Sequence, residues 1–298
     1  MNPSLTYSPT LDTHQDYRDA YEASLAQWPV PYETRYITTS FGQTHVLISG
    51  PEQAEPLLLI HGAMYSSAMW FPNIAAFSNQ YRTYAVDIID DKNFSMLEKL
   101  PKNREDYALW LQELLDQLEI KQANMVGLSY GGQLIINLAL FAPAYVEKAV
   151  IISPAETFVS FRQSFYKYAY GLATDPNGPD YFNRWLFGDR YELPTFFDQQ
   201  FRAGIRRQDA LASVKERTRV WPYVCTDEEL QQIRQPLLVL FGKHEVMYDP
   251  EEAKKRALRH LPQAEVEIVE KAGHVLSMEQ PAYVNERVLS FLSQRKKR

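Results

Sequence analysis

Apolar residues along the chain follow two rhythms. Short runs with almost no polar interruption occur at Leu57–Ile60, Thr83–Asp87 (TYAVD), Ala123–Leu128, Lys148–Ser153 (KAVIIS) and Pro236–Gly242 (PLLVLFG). Their length and continuity predict strands covered on both faces. Between them the period lengthens. Residues 103–119 place Tyr107, Trp110, Leu111, Leu114, Leu115 and Leu118 on one side of a helix. Tyr130–Ala142, Glu251–Leu261 and Pro281–Leu292 are further helices, the first closed by Pro143. Near the start, Tyr17, Tyr21, Leu25 and Trp28 recur at helical spacing from Thr13 until Pro29 and Pro31 stop the pattern. Arg35–Ser40 and Thr44–Ser49 flank Phe41-Gly42-Gln43 and read as a hairpin, and Glu265–Glu270 (EVEIVE) alternates as an edge strand does.

Strands alternating with helices predict an α/β fold: a mostly parallel central sheet flanked by helices, with the hairpin as its antiparallel edge. The alternation breaks at Pro154 and resumes at Pro236. The intervening stretch is crowded with aromatic residues, Phe158, Phe161, Phe165, Trp185, Phe197 and Phe201 among them. It is expected to be an inserted helical cap over residues 154–235, on a core of residues 1–153 and 236–298. Residues 1–12, polar with two prolines, are expected to form a loosely ordered arm.

Composition narrows the function classes. With 298 residues and 45% hydrophobic content, the chain can bury a full core. A net charge of -6 with mixed signs carries no nucleic-acid footprint, and the basic run 295–298 reads as a solvated end. The single cysteine, Cys225, excludes an internal disulfide and points to a reducing compartment. No basic and apolar leader opens the chain, and no run approaches the ~20 apolar residues of a membrane span. These features predict a cytoplasmic protein, and they carry no signal for oligomeric state.

The chemistry begins at Gly127-Leu128-Ser129-Tyr130-Gly131, where an apolar strand passes at once into a helix. This is the pattern of a nucleophile elbow, which puts a serine at the tip of a sharp turn and needs small residues two positions to either side. A serine hydroxyl becomes nucleophilic when an oriented base takes its proton, so a carboxylate and a histidine should follow on later strand ends. Of six histidines, His274 stands directly after the last strand, beside Gly273. His61 follows an earlier strand and reads as a loop brace. For the acid, Glu245 follows the strand ending at Gly242; Asp249 is the rival, but it precedes Pro250 and a helix, as an N-cap does. An oxyanion needs two backbone N–H donors. Tyr130, after the serine, is one; the other is expected from Ala63, with Met64 as the alternative. No metal-ligand cluster or dinucleotide-binding pattern appears, so no cofactor is expected.

Longer stretches carry a resemblance: HGAMYSSAMWFPNIA (61–75), YRTYAVDIIDDKN (81–93), MVGLSYGG (125–132), SPAETF (153–158), WPYVCTDEEL (221–230), GKHEVMYDP (242–250) and AGHVLSMEQPAYVNERV (272–288). With them the chain resembles the α/β-hydrolase superfamily, and within it the bacillar carboxylesterases of the type that hydrolyses arylpropionate esters. The resemblance implies an α/β-hydrolase fold, a triad at Ser129, Glu245 and His274, and a cap over a hydrophobic pocket. It departs at Asp90-Asp91, where a glycine is expected at position 90. The expected activity is hydrolysis of small to medium hydrophobic, including aryl, carboxylic esters through an acyl-enzyme, with a small-molecule ester as substrate and neither nucleic acid nor a membrane span as partner. A serine at the elbow excludes the aspartate chemistry of dehalogenases and epoxide hydrolases. A C–C bond hydrolase, an amidase, a lactonase or a non-catalytic ligand sensor on the same fold are the alternatives.

Overall fold

A computed structural model describes residues 11–211 and 222–294. The basic tail and all but the last two residues of the expected arm lie outside the described residues. Helix α1 (Leu11–Leu25) leads into the hairpin of β1 (Tyr32–Thr39) and β2 (Gly42–Ser49). Then follow β3 (Pro56–Ile60), α2 (Ile74–Ser78), β4 (Arg82–Val86), β5 (Met96–Leu97), α3 (Arg104–Gln117), β6 (Ala123–Leu128), α4 (Tyr130–Phe141) and β7 (Val146–Ile152). The insertion contains α5 (Gln163–Thr174), α6 (Gly178–Phe187), α7 (Thr195–Leu211) and α8 (Asp227–Gln232). The chain closes with β8 (Leu237–Gly242), α9 (Pro250–His260), β9 (Glu265–Val269), α10 (Leu276–Glu279) and α11 (Pro281–Ser293).

The sheet runs β1-β2-β4-β3-β6-β7-β8-β9, with the short β5 paired to β2. From β4 to β9 every pairing is parallel, and the hairpin forms the antiparallel end. Burial follows position in the sheet. Every residue of the central β6 and β8 is buried, whereas β9, with its alternating glutamates, stays half-exposed at the edge. Helix α4 fills the sheet face behind β6 and is buried from Tyr130 to Ala139, as its near-continuous apolar sequence demands. Helix α3 starts on an Asn103 cap that accepts the Asp106 N–H, and Glu105 and Asp106 complement its N-terminal dipole.

A tight crossing lies between β6 and α4. A Cβ on Gly127 would stand 2.5 Å from the Gly131 carbonyl group, and one on Gly131 would stand 2.3 Å from the Ile60 oxygen. Both obstacles are backbone, so neither can rotate away. Strand, helix and the end of β3 therefore meet in a space that hydrogen alone can occupy.

Beyond β4, Asp87 is a fully buried carboxylate that ties four segments together. It accepts hydrogen bonds from the Tyr21 hydroxyl of α1 (2.9 and 3.0 Å), His45 Nδ1 of β2 (2.7 Å), the Ser67 amide and hydroxyl (both 2.8 Å) and the Phe94 amide (3.2 Å). Burial pushes its pKa up, but His45, His61 and the Ser67 amide outweigh burial and hold it below the ordinary carboxylate value. The helix before the sheet is thereby fastened to the loop after β3.

Three substitutions test these features of the fold. Gly131→Ala should lose about 3 kcal/mol in urea unfolding, because the added methyl meets two carbonyl oxygens. Gly171→Ala, on α5 with nothing within 4 Å of the new methyl, should gain about 0.5–1 kcal/mol; comparable losses in both variants would contradict the crowding argument. Asp87→Asn should cost about 3 kcal/mol at pH 7 by breaking a buried charged network. A carboxylate with a depressed folded pKa stabilises fully above its ordinary value near ~4 and loses this as pH falls through the folded value. The gap between wild type and variant should therefore persist from pH 7 to about 4 and narrow only below that, and a gap already closed at pH 5 would refute the assignment.

Candidate active site

Ser129 sits at the tip of the β6–α4 turn with φ 53° and ψ -115°, a conformation that L-residues seldom adopt. Its backbone is held in place from both sides. The Ser129 amide donates to Ile152 at the end of β7 (2.8 Å), and its carbonyl accepts from Gln133 (3.1 Å) and Ala155 (3.0 Å). The residue is mostly buried, at 8% exposure.

Two strands further along the sheet, β8 ends at Gly242, and a Cβ there would stand 2.0 Å from the Gly273 carbonyl oxygen. This close approach brings the loop after β8 against the loop after β9. It is reinforced by backbone bonds from Lys243 to Val269 (3.0 Å) and from His244 to Ala272 (2.8 Å). The outcome is a 2.7 Å contact between His274 Nδ1 and Glu245 Oε2, with both side chains buried. The other carboxylate oxygen accepts the Met247 amide at 2.9 Å, which fixes the carboxylate plane. With Nδ1–H committed to Glu245, the lone pair of His274 lies on Nε2, a buried atom with no hydrogen-bond partner among the described residues. The structure thus joins Glu245 to His274 and leaves Ser129 on the same edge of the sheet without a hydrogen bond to Nε2. Serine–histidine contacts of this kind are commonly loose in unliganded enzymes and tighten with substrate.

Tyr248, which the sequence did not single out, completes the wall around this pair. Its ring stands edge-on to His274 at 6.4 Å and to Phe241 at 6.2 Å. Burial, and next the charge of Glu245, push its phenol well above the ordinary value, so it stays neutral beside the carboxylate. Asp249, the rival acid, accepts the Glu251 (3.0 Å) and Glu252 (3.1 Å) amides as the N-cap of α9, and its exposed carboxylate faces Arg162 at 3.4 Å. His260 ends α9, and His45 is bound to Asp87.

The loop after β3 lies against the elbow: a Cβ on Gly62 would meet Ser129 Cβ at 3.5 Å. His61 braces this loop at both ring nitrogens, Nδ1 toward the Gly62 carbonyl (2.8 Å) and Nε2 toward the Ile88 amide (3.0 Å). Met64 has φ 68°, and its amide donates to Asp91 Oδ2 at 2.8 Å. Among the described residues the Ala63 amide donates to no protein acceptor. Tyr130 contributes the first N–H of α4, where helical geometry provides no intrahelical acceptor. The Tyr130 ring is buried edge-on to Tyr107 at 5.9 Å, and Tyr107 in turn donates to Asp90 at 2.6 Å. The Asp90-Asp91 pair that departs from the expected pattern thus supports both sides of the elbow. No local signal in the sequence marks Asp87, Asp91 or Tyr248, because each acts through residues distant in the chain.

Helix α7, from the segment between β7 and β8, packs on this loop. Gln200 Nε2 donates to the Ser66 hydroxyl at 2.6 Å, Phe197 and Phe201 pack on Tyr65 at 5.3 and 5.7 Å, and Phe196 meets Phe71 at 5.2 Å. Other aromatic residues of the insertion pack on one another, Tyr168 stacked on Trp185 at 4.7 Å and Phe161 against Phe165 at 4.2 Å.

Comparison with known proteins agrees with this architecture. The family model described as "Alpha/beta hydrolase family" matches residues 57–287. The uncharacterized carboxylesterase nap of Bacillus subtilis (strain 168) is 51% identical over 277 residues, 93% of this chain and 92% of that protein. Carboxylesterase YbfK of the same organism is 48% identical over 276 residues, 93% of each chain. The crystal structure of naproxen esterase (carboxylesterase NP) from Bacillus subtilis superposes with a TM-score of 0.91 at 50% identity, covering 98% of this chain and 100% of that one. With the elbow between β6 and α4 and a long match across the parallel sheet, the chain belongs to the alpha/beta hydrolase family.

Proposed function

We propose that this protein is a serine carboxylesterase acting on small to medium hydrophobic esters, aryl esters included, through an acyl-enzyme. The observation that carries this reading is the buried 2.7 Å contact of His274 with Glu245, at the same sheet edge as a serine held at φ 53°. The carboxylesterase names of relatives near 50% identity over most of their length support the ester as substrate. The aromatic residues that α7 turns toward the loop after β3 support a hydrophobic acyl or alcohol group.

In the proposed cycle, His274 Nε2 takes the Ser129 proton as Oγ attacks the ester carbonyl. The Ala63 and Tyr130 amides receive the developing oxyanion, together worth several kcal/mol in the transition state. Ala63 is preferred to Met64 because the Met64 amide is already bound to Asp91. The imidazolium then protonates the departing alcohol. Water, deprotonated by the same nitrogen, attacks the acyl carbonyl and releases the acid and the free serine. Glu245 holds the histidine in the productive tautomer throughout. Residues 154–235 act as a cap over this site. A cytoplasmic location fits the single buried Cys225, whose thiol burial pushes up to about 11; among the described residues no helix is long and apolar enough to cross a membrane.

Fluorophosphonate should label the wild type at Ser129, and Ser129→Ala should lose both labelling and turnover of short aryl esters; retained turnover would refute the mechanism. For the acid, Glu245→Gln should reduce kcat by about 10³–10⁴-fold. Asp249→Asn, which keeps a good N-cap, should stay within about twofold of wild type. The reverse ranking of these two variants would transfer the acid role to Asp249.

A further inference from the structure

One buried carboxylate near the proposed base has no part in the cycle above. The side chain of Glu279 is fully buried at the end of α10, five residues beyond His274. Its Oε1 accepts the Gly273 amide at 3.0 Å, and its Oε2 accepts Nε of Arg190 at 2.9 Å. Arg190 belongs to the insertion, in the turn between α6 and α7, and also donates to the Leu186 carbonyl at 2.8 Å. A Cβ on Gly273 would meet the Arg190 guanidinium at 2.6 Å, Glu279 Oε1 at 3.1 Å and the His244 carbonyl oxygen at 3.2 Å. The residue preceding His274 is therefore enclosed on every side: its N–H by Glu279, its Cα by Arg190, its carbonyl by Gly242.

We propose that Arg190 and Glu279 form a clamp between the insertion and the loop after β9, and that this clamp positions the imidazole of His274 and balances the charge around it. The proposal rests on the role of His274 as the base. A surface ion pair would give no such coupling, but this carboxylate is buried, holds the backbone next to the base, and receives its countercharge from the insertion. Seating of the insertion thus reaches the base through one guanidinium.

The charges facing each group define the expected behaviour. Glu279 faces Arg190, the Gly273 amide, His274 and the phenols of Tyr65 and Tyr191. His274 faces Glu245, Glu279 and Tyr248. Burial raises the Glu279 carboxyl above its ordinary value, opposed first by Arg190 and then by the Gly273 amide and His274. In the wild type the carboxylate and the guanidinium are charges of opposite sign beside the same loop. Removing the carboxylate leaves a lone cation, which disfavours imidazolium; removing the guanidinium charge leaves a lone anion, which favours it.

The test is the acidic limb of kcat/KM against pH, which follows protonation of the base in the free enzyme. Glu279→Gln retains an oxygen for the Gly273 amide, and Arg190→Gln retains a donor for Glu279. The first should move the limb down by about 0.5–1 pH unit and the second up by a similar amount, with kcat reduced more than KM is raised. Arg190→Lys, which keeps the charge and loses the planar fork, should leave the limb in place and lower kcat. Limbs that stay put in both glutamine variants, or move the same way, would overturn the clamp. Should Arg190→Gln fail to fold, Glu279→Gln and Arg190→Lys decide between the same outcomes. Fluorophosphonate labelling of the wild type separates this result from the esterase reading: labelled wild type with unmoved limbs rejects the clamp alone, while unlabelled wild type rejects the esterase mechanism itself.

Discussion

The geometry of the site depends on one steric constraint, the close passage of β6, α4 and the end of β3 around Ser129. A serine is held at φ 53° only when its flanks are over-determined. Here they are: Gly127 and Gly131 permit contact that any side chain would block, and the Ser129 amide is fixed to Ile152. The same passage brings the loop after β3 beside the hydroxyl. The proposed nucleophile and the proposed oxyanion donors are consequently two results of one packing event, and a change that relaxed the crossing would disturb both. A comparable contact, Gly242 against Gly273, brings Glu245 to His274 on the neighbouring strand ends.

Around this crossing, buried and half-buried carboxylates organise backbone. Asp87 gathers α1, β2 and the segment after β3; Asp91 holds the Met64 amide; Glu245 holds the Met247 amide as well as His274; Glu279 holds the Gly273 amide. Each uses charge-assisted hydrogen bonds to fix a loop that lacks regular secondary structure. Such loops would otherwise spend backbone entropy without a compensating ladder of bonds. The pattern explains how loops at four strand ends are held in place, and why α7 and the turn before it can be fastened directly to that edge of the sheet.

How much of this was legible in the sequence follows from the range of each interaction. The buried strands were, because PLLLI, ANMVGL and LLVLFG need no partner to declare themselves apolar on both faces. The placing of Ser129, Glu245 and His274 at strand ends followed from that rhythm, and the edge position of β9 from its alternating glutamates. The short elements α2, β5 and α10 were not legible, since two to five residues are too few to express a period. The carboxylate contacts were hidden for another reason. Asp87 meets Tyr21 across 66 residues and Arg190 meets Glu279 across 89, and such pairings leave no local pattern. The bond from the Met64 amide to Asp91 was likewise hidden, because Asp91 acts on the loop from outside it.

The central claim is that Ser129 carries the acyl group during turnover. The most direct measurement is rapid quenching of the enzyme with a short aryl ester, followed by peptide mass spectrometry. The account predicts an acyl mass increment on the peptide containing Ser129, formed at the rate of the initial burst of released phenol and lost at the steady-state rate. Turnover with no adduct, or with the acyl group on another residue, would contradict it.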